Sequence, residues 1–151
     1  MGGFMNDYRP REIVPGEGRL PTRFTAGAFL LRAGKVLLEQ RPGDAKVYPG
    51  LWDTPGGHVE EGETPEAALA RELEEELGIT PTRFVLAAVQ DDLEGDFYRH
   101  FVYIVKAWEG EPASREGRII EWYTHDEAMK LERLNPLIRS AWRDFRNKGW
   151  L

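Results

Sequence analysis

The stretch that decides the fold runs from residue 55 to residue 79, and its sequence is PGGHVEEGETPEAALARELEEELGI. It joins a turn of one proline and two glycines to a predicted helix over residues 65–77. Thr64 suits the N-cap, Pro65 the first helical position, and Gly78 the position after the last turn. The helical period aligns three leucines in an apolar stripe, which predicts a helix with one face on a core: Leu69, Leu73 and Leu77.

Three carboxylates lie along one edge of the same predicted helix. Glu72, Glu75 and Glu76 share an arc of about 100°, whereas Glu74 points away from it. Like charges at this spacing repel one another. A divalent cation turns that repulsion into binding, because Mg²⁺ prefers carboxylate and carbonyl oxygens and keeps positions for water and substrate phosphate. For an isolated run of acids, a solvated helix face is the alternative interpretation.

The acidity of the chain is concentrated in this stretch. The net charge is −6, from 20 basic and 26 acidic residues. Residues 57–79 hold eight acids and one arginine, a charge of −7, so the rest of the chain sums to +1. A protein that binds a nucleic-acid polymer more often has a basic stripe, and none is visible. We therefore expect no nucleic-acid polymer as a partner.

Composition and length are those of one ordinary globular domain. The chain has 151 residues, of which 41% are hydrophobic and 30% charged. It has no cysteine, which excludes disulfides, thiolate zinc sites and cysteine nucleophiles. Its apolar runs are far too short to cross a bilayer, and its start has no signal-peptide core. These features predict a cytoplasmic protein without a membrane partner.

Patterns outside the helix predict a mixed sheet between helices, an α/β (α+β) fold. Residues 1–22, rich in Gly and Pro, are expected to be an irregular lead-in, and residues 23–151 a single domain. An acidic loop is expected over residues 91–96. Capping signals at Thr124 and Asn135 open two further helices. Strands are predicted over 23–31, 35–40, 84–89, 98–108 and 119–123, with a short extended piece at 51–54.

The spacing of the acidic stretch resembles the Nudix box. The residues at every defined position of this 23-residue motif are Gly57, Glu63, Arg71-Glu72-Leu73, Glu75-Glu76 and Gly78-Ile79. The resemblance implies an α/β/α sandwich. It also implies cleavage of a nucleoside diphosphate linked to another group, with Mg²⁺ as the cofactor and Mn²⁺ as the alternative ion.

The resemblance also implies roles for individual residues. The carbonyl of Gly56 and the carboxylates of Glu72, Glu75 and Glu76 correspond to the family's metal ligands. Arg71 and Glu63 correspond to a supporting ion pair. Two carboxylates are candidates for activating the attacking water: Glu72 and, on a later loop, Glu116.

A weaker resemblance, over roughly residues 24–146, points to the MutT-type branch, which cleaves nucleoside triphosphates and favours 8-oxo-dGTP. It rests on the segments 51–57 and 108–117. The substrate contacts that it implies are Arg41, Gly57, His58 and Asn135. His58 stands where that branch often has a lysine, and Asn135 is also the expected cap of the last helix.

Three interpretations of function stay open. The favoured one is hydrolysis of a nucleoside triphosphate to a monophosphate and pyrophosphate. The second is hydrolysis of a nucleotide sugar or a dinucleotide polyphosphate, and the third is a sensor that binds a nucleotide without cleaving it. A homodimer also stays open, since the lead-in at residues 1–22 is of a kind that lies across a partner subunit.

Overall fold

The computed structural model describes residues 18–46 and 48–151. Residues 18–22 lie in neither helix nor strand, and the rest of the expected lead-in falls outside the described residues. The described part of the chain forms seven strands and three helices. In chain order they are β1 (Arg23–Arg32), β2 (Lys35–Gln40), β3 (Trp52–Asp53), β4 (Gly56–His58), α1 (Pro65–Leu77), β5 (Thr80–Asp92), β6 (Tyr98–Glu109), β7 (Ile120–Tyr123), α2 (His125–Met129) and α3 (Pro136–Asn147).

The strands form a mixed sheet in the order β3-β2-β1-β6-β5. β1 and β6 run parallel, and the other pairs are antiparallel. The edge of β1 opposite β6 is shared by two strands. β4 pairs with residues 25–27 of β1 and β2 pairs with residues 31–32. β7 pairs with β2. The sheet therefore divides along β1, and the Pro-Gly-Gly turn between β3 and α1 enters at this division.

Helices cover both faces of the sheet, as the α/β/α prediction requires. On one face Phe29 of β1 packs against Trp142 and Phe145 of α3, with ring centroids 5.7 and 5.2 Å apart. On the other face Ala28 and Leu30 share a buried cluster with the α1 leucines. Neighbouring residues of β1 point to opposite faces, which is the period of a strand buried on both sides.

The predicted ends of the helices are confirmed. Thr64 caps α1 by accepting a hydrogen bond from the Ala67 N–H at 3.1 Å, and Gly78 ends the helix in the left-handed conformation. Thr124 and Glu127 form the capping box of α2. The side chain of Asn135 caps α3 by accepting from the Leu137 N–H.

The extent of two strands was predicted wrongly. β5 is Thr80–Asp92, much longer than the expected 84–89, and takes in the first part of the expected acidic loop. It pairs with β6 over its whole length through three register shifts, so tertiary pairing overrides the low strand propensity of Pro81 and the aspartates. Gly56 to His58, expected only as a turn, form strand β4 against β1.

Candidate active site

The two glycines of β4 lie in contact with both β1 and α1. A Cβ on Gly56 would lie 2.1 Å from the Ala26 carbonyl oxygen, and its φ of 151° disfavours other residues. A Cβ on Gly57 would lie 2.4 Å from the carboxyl carbon of Glu72. The Gly56 N–H donates to Oε2 of Glu76 at 3.0 Å. Only glycine therefore lets the turn approach the carboxylate edge of α1 this closely.

Arg71 ties the start of the acidic stretch to α1. It donates two hydrogen bonds to Glu63, at 2.8 and 2.9 Å, one to Oε1 of Glu72 and one to the His58 carbonyl. These bonds hold the pKa of Glu63 down to about 2, because they favour its ionised form. Glu75 is a weaker partner, at 3.4 Å. The Arg71–Glu63 pair expected from the sequence is present in the structure.

The three carboxylates of α1 have different surroundings. Glu76 is buried, with 5% of its side chain exposed, and Glu72 is largely covered. Burial raises the pKa of both, and for Glu76 the nearby charge of Glu39 raises it further. Glu75 has a side chain 53% exposed and does not line the pocket. The structure therefore brings Glu72 and Glu76 together and leaves Glu75 at the rim.

A second buried carboxylate that sequence reasoning missed lies behind Glu76. Glu39 of β2 accepts a hydrogen bond of 2.7 Å from Nη1 of Arg118, and the same Nη1 lies 3.4 Å from Oε1 of Glu76. The pKa of Glu39 is raised, chiefly by burial. A signal was present in the sequence, since Glu39 directly follows an apolar run and shares a strand face with Leu37.

The loop that carries Glu116 is bonded to the carboxyl end of α1. The Ala113 N–H donates to the Leu77 carbonyl and the Arg115 N–H to the Glu76 carbonyl, at 3.1 and 2.9 Å. The Arg115 side chain donates to the carbonyl of Glu74 as well. These bonds satisfy carbonyls that a helix end leaves free. They place Glu116, expected from resemblance alone, on the wall of the same pocket.

The pocket has a volume of about 290 Å³ and extends from α1 to the start of α3. At the α3 end, Asn135 donates to Oδ2 of Asp53 at 3.2 Å while its own Oδ1 caps the helix. Burial raises the pKa of Asp53, and Arg41 lies 4.0 Å from its carboxylate. Tyr48 donates to Asp92 at 2.6 Å beside this end. The α3 end of the pocket thus combines hydrogen-bonded polar groups with the apolar side chains of Leu137 and Ile138.

Histidine and tyrosine rings line a third part of the pocket. Tyr98 stacks on His100 with centroids 5.8 Å apart, and His58 contacts Tyr98. Nδ1 of His100 and Oγ1 of Thr25 form a hydrogen bond of 2.5 Å. Its Nε2 is buried and has no hydrogen-bond partner among the described residues. Such an atom usually marks a place for water or a ligand.

Most of the expected site residues thus line one pocket. The predicted residues on its wall are Arg41, Gly56, Gly57, His58, Glu72, Glu76, Glu116 and Asn135. Glu63, Arg71 and Glu75 lie outside it, where the first two support its wall. The wall residues that sequence reasoning missed include Tyr48, Asp53, Gln90, His100 and Arg118. No sequence pattern marks these, because strand pairing brings them together from distant segments.

The arrangement suits a hard divalent cation. Across residues 18–46 and 48–151, no three acidic or histidine side chains converge closely enough to form a complete metal site. Glu72 and Glu76 nevertheless place carboxylate oxygens at the glycine turn, with burial opposing their charge. Oxygen donors of this kind are those that Mg²⁺ and Mn²⁺ prefer. A cation held by few protein ligands leaves positions for water and phosphate.

A family model described as the NUDIX domain matches residues 21–145. The chain belongs to the NUDIX family. Nudix relatives include the 8-oxo-dGTP diphosphatase of Escherichia coli (strain K12), 44% identical over 92 residues, which are 58% of this chain and 68% of that protein. The CTP pyrophosphohydrolase of the same strain is 36% identical over 104 residues, 68% of this chain and 76% of that one. These relatives and the domain make this protein a Nudix hydrolase.

Solved structures agree with this assignment. A MutT NUDIX hydrolase from Burkholderia pseudomallei superposes with a TM-score of 0.73 at 34% identity, covering 82% of this chain and 96% of its own. The Nudix fold and the MutT-like resemblance are therefore confirmed. Nudix hydrolases act on small nucleotide substrates and generally use divalent metal ions. Among the described helices, none combines the length and the apolar character needed to span a bilayer.

Proposed function

We propose that this Nudix hydrolase cleaves a phosphoanhydride bond of a nucleoside triphosphate, or of a related nucleoside diphosphate derivative, with Mg²⁺ as the cofactor and Mn²⁺ as a substitute. For a triphosphate the products are a nucleoside monophosphate and pyrophosphate. The observation that carries the proposal is the pair Glu72 and Glu76. Both carboxylates are largely covered beside a turn that glycine makes possible, and both line a pocket of about 290 Å³.

Glu72, Glu76 and the Gly56 carbonyl are the groups assigned to hold the cation, with Glu75 at the rim as a further ligand. A cation held by these groups would supply charge neutralisation for the phosphates and would activate a water for attack. Arg71 keeps Glu72 oriented and Glu63 keeps Arg71 in place, because the three are joined by bonds of 2.8 to 2.9 Å. A preorganised arrangement of this kind needs little rearrangement during the reaction.

The reaction itself is a displacement at phosphorus. The water oxygen forms a new P–O bond, the bridging P–O bond breaks, and the leaving phosphate keeps that electron pair. A carboxylate accepts the proton that the water loses. Glu116 suits this role because it lines the pocket with a side chain 44% exposed, and Glu72 is the alternative.

The nucleoside end of the substrate is assigned to the α3 side of the pocket. Asn135 keeps an amide hydrogen beyond the one donated to Asp53, and Arg41 lies beside that pair. His58 and Gly57 lie between this end and α1, where phosphates would pass. The relatives' names include both 8-oxo-dGTP and CTP, so the base is left to experiment.

The test is a substrate screen with product identification. Purified protein with Mg²⁺ is incubated with canonical and 8-oxo triphosphates, nucleotide sugars and dinucleotide polyphosphates, and products are separated by ion-exchange chromatography. We expect a monophosphate and pyrophosphate from at least one triphosphate, and none after chelation. A sugar phosphate or a second nucleotide as the preferred product would favour the alternative substrates. Binding without turnover of any compound would favour a sensor.

A further inference from the structure

Arg118 lies among three carboxylates at the α1 end of the pocket. Its Nη1 is 2.7 Å from Oε1 of Glu39 and 3.4 Å from Oε1 of Glu76, and its Nη2 is 3.7 Å from Oε2 of Glu116. Its side chain is 22% exposed, and those of Glu39 and Glu76 are about 4% and 5% exposed. The guanidinium thus contacts one assigned cation ligand and approaches the candidate base.

The fold fixes this position from two sides. Glu39 of β2 is paired with Asp53 of β3 on one edge and with Ile120 of β7 on the other, so its backbone position is fixed. Arg118 lies two residues before β7, and the Gln40 N–H donates to the carbonyl of the intervening Ile119 at 2.9 Å. Among the three contacts of Arg118 with carboxylates, the bond to Glu39 is the shortest, and Glu39 is the most buried of the three acids. Glu39 anchors the arginine, and the arginine reaches Glu76 from that anchor.

Oxygen Oε1 of Glu76 has two competing uses. The other oxygen, Oε2, accepts the Gly56 N–H, so a cation bound at Oε1 would leave that hydrogen bond in place. The same Oε1 is the one that Arg118 approaches. A positive charge at this distance from a buried carboxylate opposes a second positive charge strongly, since the surroundings screen poorly. An incoming cation therefore competes with Arg118 for Glu76.

We infer that Arg118, anchored by Glu39, is a positioning residue that sets how tightly the pocket binds its divalent cation and that holds Glu116 for turnover. In the loaded enzyme Arg118 gives up Glu76 and keeps Glu39. The anchor thereby limits how far the arginine can follow Glu76. This inference rests on the proposed function, because it takes Glu76 as a cation ligand.

Arg118 and Glu39 have opposite effects on the affinity of the pocket for its cation. Without Arg118 the competing positive charge is gone, so the lost repulsion makes Arg118→Gln tighten Mn²⁺ binding by about tenfold. Without Glu39 the arginine turns fully to Glu76, so Glu39→Gln weakens binding by a similar factor. Because Glu39 acts largely through Arg118, adding Glu39→Gln to Arg118→Gln weakens binding less than Glu39→Gln does alone, and the remaining loss reflects the charge of Glu39 itself. Independent effects would instead multiply.

The experiment measures Mn²⁺ dissociation constants of the full chain by electron paramagnetic resonance of the free ion, without nucleotide. The variants are Arg118→Gln, Glu39→Gln, the double variant and Arg118→Lys. Arg146→Gln is the matched control, since it removes the same charge from an ion pair with Asp126 outside the pocket. Circular dichroism checks folding. The double variant leaves the net charge of this cluster unchanged, so it keeps the test available where a single variant does not fold.

Turnover supplies the second readout. We expect Arg118→Gln to bind Mn²⁺ more tightly but to lose kcat, with Arg118→Lys recovering part of it, because Glu116 loses its ionic partner. A purely structural defect would weaken binding and turnover together. Equal or same-direction shifts in the two single variants, or multiplying effects in the double variant, would overturn the inference alone. A wild-type protein that binds no Mn²⁺ would overturn the proposed cation role and this inference with it.

Discussion

The contact between Gly57 and Glu72 shows how one missing side chain makes room for chemistry. We expect Gly57→Ala to lower kcat by about 10²-fold, because its Cβ would lie 2.4 Å from the carboxyl carbon and would displace Glu72. Steady-state kinetics at saturating Mg²⁺ measures the effect. Gly43→Ala is the control, since a Cβ there meets nothing within 4 Å. Wild-type kcat in Gly57→Ala would show that the position of Glu72 is unimportant.

Ionising the buried Glu76 carboxyl lowers the stability of the metal-free protein. Burial raises its pKa above the ordinary value of 4.5, so the folded protein binds a proton that the unfolded chain releases. The free energy of unfolding of metal-free protein should therefore fall as the pH rises above 4.5. Glu63, whose pKa is lowered to about 2, contributes stability that is lost only as the pH falls from 4.5 toward 2.

We predict from this that Glu76→Gln is more stable than wild type without metal. The gain should grow from pH 5 to pH 8 and reach about 1 to 2 kcal/mol, while kcat falls by about 10²-fold or more. Urea unfolding at several pH values, with EDTA present, measures the first effect. A variant that is less stable at pH 8 would contradict the sign given for Glu76.

The position of the loop from Gly110 to Arg118 depends on its hydrogen bonds to the C-terminal end of α1. Arg115 donates to the Glu74 carbonyl and carboxylate, and its backbone N–H to the Glu76 carbonyl. We expect Arg115→Ala to speed amide hydrogen exchange in this loop and to lower kcat about tenfold, with the Mn²⁺ affinity unchanged. The exposed Arg143→Ala on α3 is the control. Unchanged exchange would show that the backbone bonds alone hold the loop.

Local sequence signals predicted α1 well and its surroundings poorly. Thr64, Pro65 and Gly78 are local caps, and the structure places both ends of α1 where they indicate. The extent of β5 depended on pairing with β6, which no local pattern contains. The same holds for the site, since Glu72 and Glu76 belong to one recognisable motif, whereas Glu39 and Arg118 meet only through the pairing of β2 with β7.

In the molecule as a whole, the apolar clusters that stabilise the fold are distinct from the polar residues assigned to the reaction. Two apolar clusters lie on opposite faces of the sheet, and the pocket opens where β4 and β2 divide the edge of β1. The buried carboxylates at this division destabilise the protein without metal, and the two cores supply the compensation. A ligand that binds only the folded state then adds stability by mass action.

The most direct measurement is an anomalous difference map from a crystal of this protein soaked with Mn²⁺ and a non-hydrolysable nucleoside triphosphate analogue. We predict a manganese peak bonded to carboxylate oxygens of Glu72 and Glu76, with phosphates on its open side and the base near Asn135. A map with no peak at these carboxylates beside a bound nucleotide would contradict the assignment of this cation site.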